Sequence, residues 1–156
     1  MPATWISRVG ALLVDAFIAL ALGSVLGFVV GLIGGLAGIA TAPGTLELVS
    51  LQLAAGVLGL MVYLTYVCLT MVRPGARNGQ TLGKQAVGIR VVRADGRPVD
   101  FATVALREIA VKYFLFQILA IVTLFVATLL DFLWPLWDHE RRALHDMIAS
   151  TRVMRA

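Results

Sequence analysis

Two long apolar runs, Val9 to Ile33 and Leu48 to Val72, decide most of what this chain can become. Each is 25 residues long, against the roughly 20 that a helix needs to cross the hydrocarbon of a bilayer. The first contains one ionisable group, Asp15; the second contains Gln52 and no charge. Composition agrees, with 60% hydrophobic and 14% charged residues, where a soluble domain is near half apolar and a quarter charged. That balance excludes a disordered chain and argues against a water-soluble globule. At 156 residues one compact domain, 1–156, is expected.

Arg8 followed by an apolar stretch resembles a signal peptide, but Val9 to Ala40 is about twice the usual signal core. An uncleaved membrane helix is the expectation. Thirteen Lys+Arg against nine Asp+Glu give a formal +4. Basic residues beside apolar spans set membrane orientation rather than nucleic-acid binding. Eight of them, Arg73, Arg77, Lys84, Arg90, Arg93, Arg97, Arg107 and Lys112, fall between the second span and the next apolar stretch. The connection from Gly34 to Gly44 carries none. The middle segment and the N-terminus are therefore expected in the cytoplasm, with the spans crossing a bacterial inner membrane. Cys68 lies alone inside the second span and reads as an inert thiol.

Residues 73–100 are polar. Val87, Ile89 and Val91 alternate with Gly88 and Arg90, and Asp95-Gly96 is a hairpin turn signal, which predicts a β-hairpin over 84–100. The tail Thr151-Arg152-Val153-Met154-Arg155 alternates too, and is expected to pair with the strand around Ile89. Phe101 to Lys112 reads as an amphipathic helix lying in the membrane interface. Tyr113 to Leu136 is a third apolar stretch, containing Gln117 and Asp131, with Trp134 and Trp137 as interfacial anchors. The tail, 138–156, is polar. Three full spans would place that tail outside, whereas its arginines and the expected sheet place it inside. The 24 residues of the third stretch are too few to cross twice. A re-entrant helical hairpin beginning within the amphipathic helix resolves the conflict. The expected fold class is thus an all-α membrane protein: a small helical bundle carrying an interfacial helix and a small cytoplasmic β-hairpin or sheet.

Several groups stand out. Gly23, Gly27, Gly31 and Gly35 recur every four residues on helix one, a face that lets another helix approach closely. Helix two is the expected partner, with self-association the alternative. Asp15 costs roughly 2.5–3.5 kcal/mol to insert at bilayer depth, so it must face protein or water. Its two readings are an ion or proton site and a buried anchor. Arg8, seven residues earlier, leans toward the N-terminus and away from Asp15. Each therefore needs its own partner, expected from the tail, and Asp146 is the choice for Arg8. His145 is a candidate proton relay or a satisfied structural histidine. His139 and His145 are six apart, which is not a metal-ligand pattern, so no metal is expected. Gly79-Gln80-Thr81-Leu82-Gly83-Lys84 has one residue too few between its glycines for a phosphate loop, and Gln85 follows the lysine. It reads as a turn into the strand. No catalytic constellation or cofactor fingerprint emerges, so neither enzyme activity nor a cofactor is expected.

Taken together, Arg8 at the start of helix one, Asp15 within it, and Asp146 in Arg142-Ala143-Leu144-His145-Asp146 resemble the RDD family of bacterial membrane proteins, named for one arginine and two aspartates. Gly79 to Lys84, Val87 to Val92, Trp134 to Asp138 and Ala149 to Val153 extend the resemblance over nearly the whole chain. The resemblance implies transport in broad terms, with sodium/proton antiport reported for some similar proteins, and it carries over Arg8, Asp15 and Asp146. The leading expectation is cation or proton-coupled transport by an oligomer in the lipid bilayer, with Asp15 titrating. The alternative is a membrane scaffold or accessory subunit of a larger complex.

Overall fold

A computed structural model describes residues 1–36 and 45–156. Most of the connection expected at 34–44 lies outside the described residues, as do the surroundings of Gly35. The long helices are α1 (Trp5–Leu36) and α2 (Thr45–Met71). Both begin a few residues before the apolar runs, because Trp5, Ser7 and Arg8 continue the helix below the first span. Each includes a stretch long and apolar enough to cross a membrane, Trp5–Ile33 and Gln52–Met71.

The chain divides into two units. One contains residues 16–65, the greater part of α1 and α2. Its large apolar side chains, Phe17, Leu20, Val25, Phe28, Leu53 and Met61 among them, are exposed. A Cβ placed on Gly23, Gly27 or Gly31 would meet no described atom within 4 Å. The expected close packing of this glycine face on helix two is therefore not found among the described residues. The apolar periphery that surrounds it suits lipid contact.

The other unit contains residues 1–15 and 66–156. After α2, a 3₁₀ turn (Gly75–Arg77) leads to α3 (Leu82–Ala86) and β1 (Ile89–Arg93). The expected hairpin over 84–100 does not form. Thr81 caps α3 by accepting from the Lys84 N–H at 3.3 Å, and no strand lies between Asp95-Gly96 and the helix that begins at Phe101. β1 pairs instead with β2 (Thr151–Arg155), antiparallel, Val91 opposite Val153. That is the tail pairing the alternation predicted. The N-terminus joins as well, since the Ala3 N–H donates to the Val153 carbonyl at 2.9 Å.

Helical backbone runs without a break through α4 (Phe101–Val104), a π-helical segment (Ala105–Leu115) and α5 (Phe116–Val122). The chain then turns over Thr123 to Phe125 into α6 (Val126–Leu133). Leu124 and Phe125 both take positive φ, 49° and 68°, a conformation that non-glycine residues adopt only when the surroundings enforce it. Here the turn closes its own polar groups. The Phe125 N–H donates to the Ala120 carbonyl at 2.8 Å. Thr123 Oγ1 donates to the Leu119 carbonyl at 2.6 Å and accepts from the Ala127 N–H at 3.1 Å. The third apolar stretch is thus two helices joined by a tight turn, not one span. A short helix α7 (Leu144–Ile148) precedes β2.

Candidate functional site

Asp15 projects from α1 into the loop that opens α3. Its carboxylate is 5% exposed and three donors converge on it: Thr81 Oγ1 at 2.5 Å, Tyr66 Oη at 2.8 Å and the Gly83 N–H at 2.9 Å. Gly83 is required here by space. A Cβ on it would run into the Ala11 carbonyl oxygen and lie 2.7 Å from Asp15 Cγ. The Gly79–Lys84 turn therefore has a definite task, which is to bring a hydroxyl and a backbone N–H against a carboxylate in an apolar helix. The expectation that the tail would partner Asp15 is corrected: the partners are the turn and α2, because the tail engages α1 a full two turns lower, at Arg8.

Arg8 does meet the tail. Its Nη1 donates to Asp146 Oδ2 at 2.6 Å, and its Nη2 donates to the Arg141 carbonyl at 2.5 Å. Arg141 sits at φ 54°, which turns that carbonyl toward the helix. Asp146 is fully buried and takes a second guanidinium, since Arg107 donates to Oδ1 through Nε at 3.0 Å and Nη2 at 2.7 Å. The Ala143 N–H completes the set at 3.2 Å. Burial alone would raise the Asp146 carboxyl, but the guanidinium groups of Arg107 and Arg8 hold it well below the usual carboxylate range.

The network extends around Arg107. Its Nη1 donates to Glu108 Oε1, and Lys112 reaches Glu108 Oε2 at 3.3 Å. Arg107 and Glu108 are almost completely buried. The expected interfacial helix therefore turns its charged face into protein rather than toward headgroups. His145 lies between Arg107 and Asp131, with Nε2 3.0 Å from Arg107 Nη2 and Nδ1 2.7 Å from Asp131 Oδ2. An arginine only donates, so Nε2 accepts and the ring proton sits on Nδ1, donated to Asp131. Asp131 also accepts from the His145 N–H at 2.9 Å. It thereby caps α7, whose own N-cap, Ala143, has no side-chain acceptor.

Arg8, Arg107 and Lys112 thus join Asp131, Glu108 and Asp146 in one cluster that is buried at Arg107, Glu108 and Asp146 and half-exposed at Lys112. Lys84 is half-buried, and no hydrogen bond or ion pair reaches its ammonium among the described residues. Burial pushes it down to about 8, with Glu108 pulling the other way. His139 is exposed and stays outside the network. No group of His, Cys, Asp or Glu able to hold a metal ion occurs among the described residues. Sequence reasoning missed Tyr66, Thr81 and Gly83 around Asp15, and Arg107, Glu108 and Asp131 around the tail. The signal for the second group was available, because buried charges occur in compensating sets.

Two apolar helices and a charge-locked polar unit define the class: an integral membrane protein with its ionisable groups gathered against protein. The chain belongs to the RDD family, whose model matches residues 2–150. Arg8, Asp15 and Asp146, the positions singled out by the family resemblance, are all in the polar unit described above. No curated protein and no solved structure matches the chain.

Proposed function

We propose that this protein takes part in moving cations or protons across the bacterial inner membrane, with sodium/proton antiport as the specific form. The observation that carries the reading is Asp15, a buried carboxylate on the first span whose oxygens meet the hydroxyls of Thr81 and Tyr66. Each hydroxyl can rotate its hydrogen away and offer a lone pair instead. Carboxylate and hydroxyl oxygens then suit a hard cation, and a proton competes for the same carboxylate. Two long helices make a thin wall for a pathway, so the working form is an oligomer or a complex with a larger membrane protein.

Topology follows from the same unit. Pairing of β1 with β2 and of the N-terminus with Val153 supports one membrane face for the N-terminus, middle segment and tail. The basic middle segment makes that face cytoplasmic. The helical hairpin is then re-entrant. Its tip supports this, since Ile121, Val122, Leu124 and Phe125 are exposed while the turn's backbone groups are paired internally.

Reconstituted liposomes test the function. Proton flux under a sodium or potassium gradient, abolished in a folded Asp15→Asn variant, is the expected result. A second reading, a non-transporting scaffold, is favoured by the donors that already saturate Asp146 and by the uncovered Gly23, Gly27 and Gly31 face. Absence of flux under every gradient, together with co-purification of another membrane protein, selects it.

A further inference from the structure

A cleft of about 660 Å³ opens in the polar unit where the chain leaves α2. Val72 and Pro74, just past the second span, form one wall; Arg90 and Arg97 stand on another, and Phe101 at the head of α4 closes the rim. Asn78 holds the walls together, donating to the Val99 carbonyl at 2.9 Å and accepting the Val99 N–H at 2.7 Å. The charges around it do not balance. Asp95 and Asp100 share Arg93, at 2.8 and 2.9 Å. Arg97 answers Asp95 only at 4.0 Å. The guanidinium groups of Arg90 and of Arg77, in the turn beside the cleft, have no hydrogen-bond or ion-pair partner among the described residues. Elsewhere in this unit the guanidinium groups of Arg8, Arg73, Arg93, Arg107 and Arg142 are closely engaged by carboxylates or carbonyls, while the exposed Arg141 and Arg155 lack such partners among the described residues.

We propose that this cleft receives the phosphate of an anionic phospholipid, held by Arg90 and Arg97. Charge complementarity supplies the attraction, since arginine binds phosphate through paired N–H donors. Position selects lipid over a free anion. The cleft begins at the first residue beyond a candidate span, which is headgroup depth. Phe101 and Leu106 are exposed on the helix that leaves the rim, so an acyl chain has apolar surface to follow. The volume is within the range of ordinary ligand sites.

The test uses full-length protein in nanodiscs of phosphatidylcholine with and without phosphatidylglycerol, followed by detergent extraction and native mass spectrometry of retained lipid. Wild type should keep phosphatidylglycerol in preference to phosphatidylcholine. Arg90→Gln and Arg97→Gln should each lower retention about fivefold, as expected for one basic residue at a charged interface. Arg141→Gln removes the same charge from an exposed position outside the cleft and should leave retention unchanged. Equal loss in Arg141→Gln reduces the effect to net charge and overturns the site. Lack of preference for phosphatidylglycerol overturns it as well. Displacement of the lipid by millimolar glycerol phosphate would assign the cleft to a soluble anion and overturn the lipid.

Discussion

Asp146 shows how a single carboxylate can hold a fold. It is fully buried, and its oxygens take donors from α1, the π-helical segment and its own helix. Asp146→Asn leaves Arg8 and Arg107 buried without their shared anion, and breaking such a set costs about 3–5 kcal/mol. A large fall in melting temperature in detergent is expected. Because the folded carboxyl lies below its ordinary value of 3.8, its stabilisation is complete above that value and declines as pH falls below it, toward the folded pKa. Thermal melts from pH 6 downward should show an acid loss that Asp146→Asn lacks. Gly83→Ala pushes a methyl group into Asp15 and the Ala11 carbonyl, an overpacking expected to cost about 1–3 kcal/mol. The Arg8–Asp146 contact was legible because a helical side chain leans toward the N-terminus and the tail offers carboxylates. Asp15's partners were not legible. Hydroxyls and a backbone N–H in a polar turn have no sequence signature that points to a particular helix.

Among the elements, the helical hairpin depends most on local chemistry. Its tip holds two non-glycine residues at positive φ, and Thr123 supports the turn by bonding both to the helix before it and to the helix after it. Thr123→Val keeps the shape and removes both bonds, at about 1 kcal/mol each. Faster hydrogen exchange at Ala127 and neighbouring amides is the expected readout, with the β1–β2 amides unaffected. Nothing in Thr123-Leu124-Phe125 announces a turn, since no glycine, proline or asparagine marks it. The break was inferred from the tail, whose arginines and expected sheet require the third stretch to turn back, with its 24 residues too few to cross twice. The sheet was the reverse case. Alternation in 89–91 and 151–155 identified the strands and their pairing, while Asp95-Gly96 suggested a hairpin that lacks its second strand. A turn signal specifies a local bend, and the tail, with Val153 facing the core opposite Val91, supplied a better partner for β1.

For the whole molecule, the decisive constraint is that three distant parts of the chain meet in one unit. Residues 1–3, β1 and β2 share hydrogen bonds, and Arg8 is tied to Asp146 across 138 positions. If the tail crossed to the opposite face, the sheet would dissolve, and Arg8 and the buried Arg107 would lose the carboxylate they share, at several kcal/mol per ion. Folding and topology are therefore one equilibrium. In a Cys68→Ala background, Ala156→Cys and Arg97→Cys should react with a membrane-impermeant maleimide from the same side, the cytoplasmic one. Residues 121–125 at the hairpin tip should be protected from both sides. Labelling of Ala156→Cys from outside alone would require a third full crossing through Thr123–Phe125, which the paired backbone of that turn opposes. Disruption of Arg8–Asp146 gives the converse expectation. If the latch fixes the tail, Arg8→Asp should expose Ala156→Cys to faster labelling on the same face, and Arg8→Asp with Asp146→Arg should slow it again. The rescue is expected to be partial, because Arg107 would then face an arginine at 146 where it now meets a carboxylate.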